Sequence, residues 1–523
     1  MPRPNILHIL SDQHSPYVLG CYGDPIIQTP NLDRIAARGT VFDAAYCPSP
    51  ICVPSRASML TGRHPHQNRC WDNHHILDSG IPTFAHALGA AGYKTILVGR
   101  MHSLGPDQLR GYSERYVGDH SPNFEGNPVE HGTQGRGLLD GTAGPARVSL
   151  TNSGPGQGGY QVHDEYVTAA AVDVLNRLGI ERRSSPPEQA PPPFLLSVGF
   201  MLPHQPFVAR RDEFERYRGK VPPPRAPQRT EPEHPYFTWW RQHTGIEDVS
   251  PAEVERCRTA YYALVDRLDA MIGQILRALE ENGLAENALI VYTTDHGEQL
   301  GEHGLWWKQT MYEASARVPL IVSWPGTLPE GQRNANVVSA LDLTATLPDA
   351  AQAPALPDSP GRSLLGLLTD NAPSVIRAKR GTAARDQPAN VRRPSPAEWQ
   401  DEAFSEFCVE QGWFHRMIRT GDWKLVYYHG RRPQLFNLRE DPHELQDLAS
   451  DPRYKSIQSD LTHRVLANWN PDAIESDCAL KRDQAHILRQ WARATKPAES
   501  YRWPITRAMH YLDEPLPEGA PKR

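Results

Sequence analysis

The sequence predicts an α/β protein, with a mainly parallel sheet flanked by helices and a smaller C-terminal α+β unit containing an antiparallel sheet. Three observations lead there. Hydrophobic runs at residues 5–10, 93–98, 194–200 and 288–293 each stop abruptly at polar residues, as buried strands do. Helical patterns lie between them, which is the alternation of a parallel sheet. After about residue 400, strand-like runs follow closely at 413–418, 423–428 and 434–437.

The strand ends carry the polar groups. The first run stops at Ser11-Asp12-Gln13, the second at Gly99-Arg100-Met101-His102, the third at Leu202-Pro203-His204 and the fourth at Thr294-Asp295-His296. Open α/β sheets bind ligands beyond the carboxyl ends of their strands, so these endings predict one shared cleft. The clearest helix begins at Ser250-Pro251-Ala252-Glu253, with Ser250 as N-cap and Glu253 closing a capping box. Tyr261, Leu264, Val265, Leu268, Ile272, Ile275, Leu276 and Leu279 then recur at helical spacing, a stripe that reads as core. Smaller helices are predicted over 31–38 and 83–91.

Proline-rich 184–193 and basic 377–396 read as surface loops. Residues 1–400 are assigned to the main domain, 401–470 to the antiparallel subdomain and 471–523 to a tail. Trp491, Tyr501, Trp503 and Tyr511 make that tail too aromatic for a disordered end. It is expected to pack on this subunit or a neighbour, as a contact in a homodimer or homotetramer or as a cap on the cleft.

At 523 residues the chain has room for a large core and a second one. The formal net charge of −6 leaves no basic footprint for nucleic acid. No apolar run approaches the roughly 18–20 residues of a membrane span. The start of the chain lacks the apolar core of an export signal, and the seven cysteines form no Cys-x-x-Cys pair. A cytoplasmic location is therefore expected.

Cys52-Val53-Pro54-Ser55-Arg56, continuing into Leu60-Thr61-Gly62, packs a thiol, a hydroxyl and a fixed positive charge into one turn. The proline places Cys52 near a helix N-terminus, where unpaired N–H groups favour negative charge. This Cys-x-Pro-Ser-Arg and Leu-Thr-Gly pattern resembles the signature of the sulfatases, over a stretch running from about residue 5 to 452. The resemblance implies an alkaline-phosphatase-like fold and a sulfuric ester hydrolase. It also implies oxidation of Cys52 to formylglycine by a formylglycine-generating enzyme, the hydrated aldehyde being the nucleophile.

Asp12, Gln13, Asp295 and His296 offer two carboxylates, an amide oxygen and an imidazole, a set suited to one divalent cation. Oxygen ligands favour Ca²⁺ or Mg²⁺, and the imidazole moves the balance toward Mn²⁺. By resemblance these four residues hold the ion, with position 52 completing the shell. Sulfatases usually carry Asp-Asp and Asp-Asn at these pairs; Gln13 and His296 depart toward the choline sulfatases and the related phosphonate monoester hydrolases. The resemblance also assigns Arg56 to the formylglycine hydrate, Arg100 and His102 to a position beside the nucleophile, and His204 and Lys308 to the sulfate and leaving group. Lys308 closes Gly304-Leu305-Trp306-Trp307-Lys308, a recurrent sulfatase segment.

Stretches such as 81–86, 99–109 and 301–306 are similar to choline sulfatases in particular. A small-molecule sulfate ester is the expected substrate, choline sulfate or a similar small alcohol sulfate. Recognition of a quaternary ammonium needs aromatic faces and a carboxylate. Trp71, Trp239, Trp240, Trp306 and Trp307 are available, the resemblance to choline sulfatases implies a substrate-binding Glu near Glu406, and Asn73, Trp306 and Glu406 are the substrate-binding candidates. Two alternatives stay open: hydrolysis of a phosphonate monoester or phosphodiester by the same groups, and a silent metal-binding protein with Cys52 unmodified.

Overall fold

The computed structural model describes residues 3–127, 141–227, 229–369, 393–409 and 412–514. Its strands are β1 (Asn5–Asp12), β2 (Thr40–Tyr46), β3 (Lys94–Gly99), β4 (Glu114–Tyr116), β5 (Gly154–Gln157), β6 (Phe194–Pro203), β7 (Val208–Ala209), β8 (Ala288–Thr294), β9 (Leu320–Ser323) and β10 (Gln332–Ser339). The C-terminal part adds β11 (Glu402–Val409), β12 (Trp413–Thr420), β13 (Trp423–Tyr428), β14 (Gln434–Asn437) and β15 (Tyr511–Leu512). Among the described residues, eight strands form the main sheet in the order β10-β2-β9-β8-β1-β6-β3-β4. It is parallel except at β9, which runs antiparallel to β8 and β2. The expected class, α/β with a separate antiparallel sheet, is what the chain adopts.

Alternation along β1 explains the layering. Leu7 and Ile9 enter one apolar core, with Val167, Val174, Leu264, Leu268 and Ile272 from two long helices, Gly159–Ser184 and Pro251–Glu281. Ile6 and Leu10 point the other way, toward Phe84, Leu88, Leu343 and Leu347. A strand covered on both faces needs apolar residues at every position, which is why the central strands read as unbroken runs. The predicted cap is present: the Ser250 hydroxyl accepts the Glu253 N–H, and the Glu253 carboxylate accepts the Ser250 N–H at 3.0 Å.

The sheet edge was not predicted. In β2 Asp43 interrupts Val41-Phe42 and Ala44-Ala45-Tyr46, and β10 begins with exposed Gln332 and Arg333, so neither shows an unbroken apolar run. The four-stranded antiparallel sheet β11-β12-β13-β14 forms separately. Buried Lys424 on β13 ties it to the main domain, 3.0 Å from a Glu313 oxygen and 2.7 Å from one of Glu444. The basic loop expected at 377–396 lies outside the described residues up to 392. Among the described residues, no helix is long and apolar enough to cross a membrane.

The tail packs back on its own subunit. Its helix Pro471–Thr495 sets Trp491 edge-on to Phe124 at 5.3 Å, Trp503 meets His163 at 5.1 Å, and β15 pairs antiparallel with β5. Trp491, Tyr501 and Tyr511 nonetheless stay 42%, 44% and 49% exposed.

Candidate active site

β8, β1, β6 and β3 are consecutive neighbours and mutually parallel, so their carboxyl ends open on one side of the sheet. The register pairs Ser11 with Thr294, which sets Asp12 and Gln13 directly beside Asp295 and His296. His204 follows β6, and Arg100 and His102 follow β3. The four polar endings predicted to converge are brought together.

Cys52 comes to the same place from a helix. It opens Cys52–Thr61, where Pro54 sits in the first turn and breaks no helical hydrogen bond. Asn73 accepts the Val53 N–H at 2.9 Å through its side-chain oxygen and so holds that turn. The Cys52 Sγ lies 3.2 Å from His296 Nε2, 3.7 Å from Asp12 Oδ1 and 3.1 Å from Lys308 Nζ. Single ligand atoms of Asp12, Cys52, Asp295 and His296 all fall within 4.8 Å of one another, and all four residues are buried.

The outer oxygens of both carboxylates are taken by arginines. Arg56 donates from Nε to Asp295 Oδ2 at 2.7 Å and from Nη2 to Asp12 Oδ2 at 3.1 Å, and Arg100 Nε adds a 2.7 Å bond to Asp12 Oδ2. The Oδ1 atoms lie 3.9 Å (Asp12) and 3.6 Å (Asp295) from His296 Nε2, and Asp295 Oδ1 also accepts the Gln13 N–H at 3.1 Å and the His296 N–H at 3.0 Å. His296 donates from Nδ1 to the Gly297 carbonyl at 3.1 Å, so its Nε2 lone pair points into the cluster. Gln13 is oriented likewise: its amide NH₂ donates to Glu298 and, at 2.5 Å, to Gln205, and its Oε1 turns inward. Two carboxylate oxygens, an amide oxygen and an imidazole nitrogen converging in a buried space fit a divalent cation.

Electrostatics agree. Burial alone would raise the Asp12 pKa, but Arg100, His204, Arg56 and Lys308 hold it well below the usual carboxylate range. Burial pushes His296 down to about 4, which keeps it neutral and able to ligate.

On the open side, Lys308 Nζ donates to His204 Nε2 at 2.7 Å and to Gln13 Oε1 at 2.8 Å. His204 gives its Nδ1 proton to the Gln205 carbonyl at 2.6 Å, and burial together with the Lys308 charge lowers its pKa. Opposite, Arg100 Nη2 bonds His102 Nδ1 at 2.8 Å; burial and the Arg100 charge hold His102 well below its ordinary value. Asp119 closes this side, bonding Arg100 Nη1 at 3.1 Å and the His102 N–H at 2.6 Å.

Two expected substrate contacts are engaged inside the fold. Trp306 is 1 % exposed in the main core, its ring 6.2 Å from Phe207. Glu406 is buried, with one carboxylate oxygen 2.7 Å from His66 Nδ1 and 3.2 Å from Arg416 Nε. The Trp-Trp-Lys segment turns its first ring inward, and Glu406 pairs with an internal arginine. The other tryptophans offered for a cation cage are also engaged: Trp71 in a cluster with Cys408 and Cys478, Trp239 and Trp240 against Tyr236, Trp307 bonded to Ser149. Sequence reasoning missed Asp119, Glu298, Gln205 and Tyr160, whose ring lies 5.8 Å from His204. Glu298 was within reach, three residues past Asp295; Asp119 carries no local signal.

A mainly parallel sheet with a buried cysteine, two carboxylates and cationic groups at its carboxyl edge defines a hydrolase of anionic esters. The sulfatase family model matches residues 4–353, and the chain belongs to the sulfatase family, the sulfuric ester hydrolases. It is 32% identical to a choline-sulfatase of Rhizobium meliloti (strain 1021), over 96% of this chain and 93% of that protein. It is 30% identical to arylsulfatase K of Gallus gallus, over 86% and 79%. A phosphonate monoester hydrolase of Agrobacterium radiobacter shares the alkaline-phosphatase-like fold, with a TM-score of 0.70 at 23% identity over 89% of this chain and 95% of that one.

Proposed function

We propose that this chain hydrolyses a sulfate monoester, releasing an alcohol and sulfate, with position 52 as formylglycine beside one divalent cation, Ca²⁺, Mn²⁺ or Mg²⁺. One observation carries the reading. The Cys52 Sγ sits between His296 Nε2 and Lys308 Nζ, at 3.2 and 3.1 Å, next to two carboxylates whose outer oxygens are bound by Arg56 and Arg100.

A divalent cation held by Asp12, Gln13, Asp295 and His296 would supply Lewis-acid polarisation of a sulfate oxygen and favour ionisation of the attacking hydroxyl. The chain's own groups do the rest. Arg56 bonds both Asp12 and Asp295 and aims them, and Arg56 and Arg100 together keep Asp12 charged. The helix N-terminus at Cys52 favours the anionic ester. Lys308, hydrogen-bonded to His204 Nε2, makes a proton available on the side where the alcohol leaves as an alkoxide.

Choline sulfate is the first alcohol sulfate to test, because similarity to a choline-sulfatase extends along 96% of the chain. The five tryptophans offered for its ammonium are committed to packing, so a small neutral alcohol fits this reading equally. Intact-mass analysis for replacement of the thiol by an aldehyde is the first experiment. Parallel kinetics on 4-nitrophenyl sulfate, choline sulfate and a phenyl phosphonate monoester is the second. A phosphonate preference of several decades overturns the reading, and an unmodified, inactive Cys52 protein leaves only metal binding.

A further inference from the structure

Arg100 and His102 depend on Asp119, and Asp119 depends on the C-terminal tail. The residue His102 follows β3 with φ of 57°, a left-handed conformation that a non-glycine residue keeps only when its surroundings impose it. Asp119 imposes it by accepting the His102 N–H at 2.6 Å, while its other oxygen accepts Arg100 Nη1 at 3.1 Å. Asp119 itself is 2 % exposed and lies beyond β4, where the main sheet has ended.

The tail holds that loop by its backbone. The Trp503 N–H donates to the Asp119 carbonyl at 2.9 Å, and Asp119 and Arg502 form a parallel bridge. A Cβ on Gly118 would stand 1.1 Å from the Tyr501 carbonyl oxygen, so the two backbones meet where only glycine fits. Asn123 donates from its backbone N–H to Glu499 at 2.6 Å and from its side chain to the Ser500 carbonyl at 3.1 Å. Asn127 donates to the Pro497 carbonyl and to Glu499, both at 2.8 Å. On the far side of Gly118, His163 Nε2 donates to its carbonyl at 3.0 Å and carries the Trp503 ring against it.

We propose that residues 499–503 of the tail are a positioning element of the sulfatase site: by fixing the backbone of Gly118 and Asp119 they set the Asp119 carboxylate, and through it Arg100 and His102, against Asp12. The catalytic consequence rests on the function proposed above; the structural coupling does not. Misplacing such groups by about 1 Å costs on the order of a hundredfold in rate.

The test is Gly118→Ala, which forces the tail off the loop and alters no group that faces the cleft. On 4-nitrophenyl sulfate its kcat is expected to fall by about 10–100-fold, with KM within about twofold and formylglycine content close to wild type, while the melting temperature drops as the two backbones part. Asp119→Asn should give a similar loss, and the double variant no more than the larger single loss, because both act through one carboxylate. Amide hydrogen exchange is the second readout: the His102 N–H should lose about tenfold or more of its protection in Gly118→Ala, whatever ester the protein cleaves. Trp503→Ala, read the same way, replaces Gly118→Ala if that variant does not fold. Wild-type kcat with unchanged His102 protection, or multiplicative losses in the double variant, overturns the proposal. If the wild type cleaves no sulfate ester, His102 exchange alone decides: a rise in Gly118→Ala upholds the coupling and no rise ends it.

Discussion

His296 Nε2 lies 3.2 Å from Cys52 Sγ, although the two residues are 244 positions apart in the chain. The contact joins the end of β8 to the first residue of a helix, and it places the thiol inside the group that can bind a cation. On the proposed mechanism, removing the thiol removes the precursor of the nucleophile without disturbing the sheet. Cys52→Ala is expected to lower turnover of 4-nitrophenyl sulfate by at least about a thousandfold while the thermal melt stays near wild type. Activity surviving in that variant would sink the scheme.

A cation held by Asp12, Gln13, Asp295 and His296 binds the folded chain and not the unfolded one. Ca²⁺ or Mn²⁺ at a hundred times its Kd should stabilise the metal-stripped protein by about 2.7 kcal/mol. Asp295→Ala should abolish that increment in a thermal-shift titration. An equal shift in wild type and variant would move the ion elsewhere.

Glu298 and Gln205 orient Gln13 by accepting both protons of its amide nitrogen. Glu298→Ala frees the amide to turn its NH₂ inward, where it cannot ligate. Groups of this kind contribute about 10–100-fold to metal affinity, and calorimetric titration should show a loss in that range. Unchanged affinity would mean that Gln13 is not a ligand.

His204 and Lys308 share a hydrogen bond of 2.7 Å on the open side of the cluster. If they protonate the departing oxygen, His204→Ala should slow a sulfate with a poor alkyl leaving group by about tenfold or more beyond its effect on 4-nitrophenyl sulfate. Equal losses on both esters would assign His204 to sulfate binding alone.

Glu406 predicts acid sensitivity away from the site. Burial opposes its charge, but His66 and Arg416 pull its pKa from the usual 4.5 down to about 2. A folded pKa below the unfolded one stabilises above about pH 4.5, and the contribution fades as pH falls toward 2. Its ceiling is about 3 kcal/mol. Denaturant melts of Glu406→Gln should show a deficit of that order at pH 7 that narrows below pH 4.5. A deficit constant with pH would exclude ionic stabilisation.

Much of the site was legible because its groups stand next to local signals. Asp12, His204 and Asp295 each follow an apolar strand, and Cys52 sits in a motif that also predicts its helix. The strands β2 and β10 were not legible, since partial exposure breaks their hydrophobic pattern. Trp306 and Glu406 were placed by resemblance, and neither their inward rotation nor their internal partners leave a trace in linear spacing.

The sequence by itself determined which residues end the strands, where the long helix is capped and which family signature the chain carries, because these depend on periodicities of two and 3.6 residues and on short motifs. Only the tertiary structure decided that β8, β1, β6 and β3 are neighbours, that the arginines take the outer carboxylate oxygens, and that the tail reaches back to Asp119. Pairings between residues hundreds of positions apart are chosen by the packing of whole faces, which no local pattern encodes.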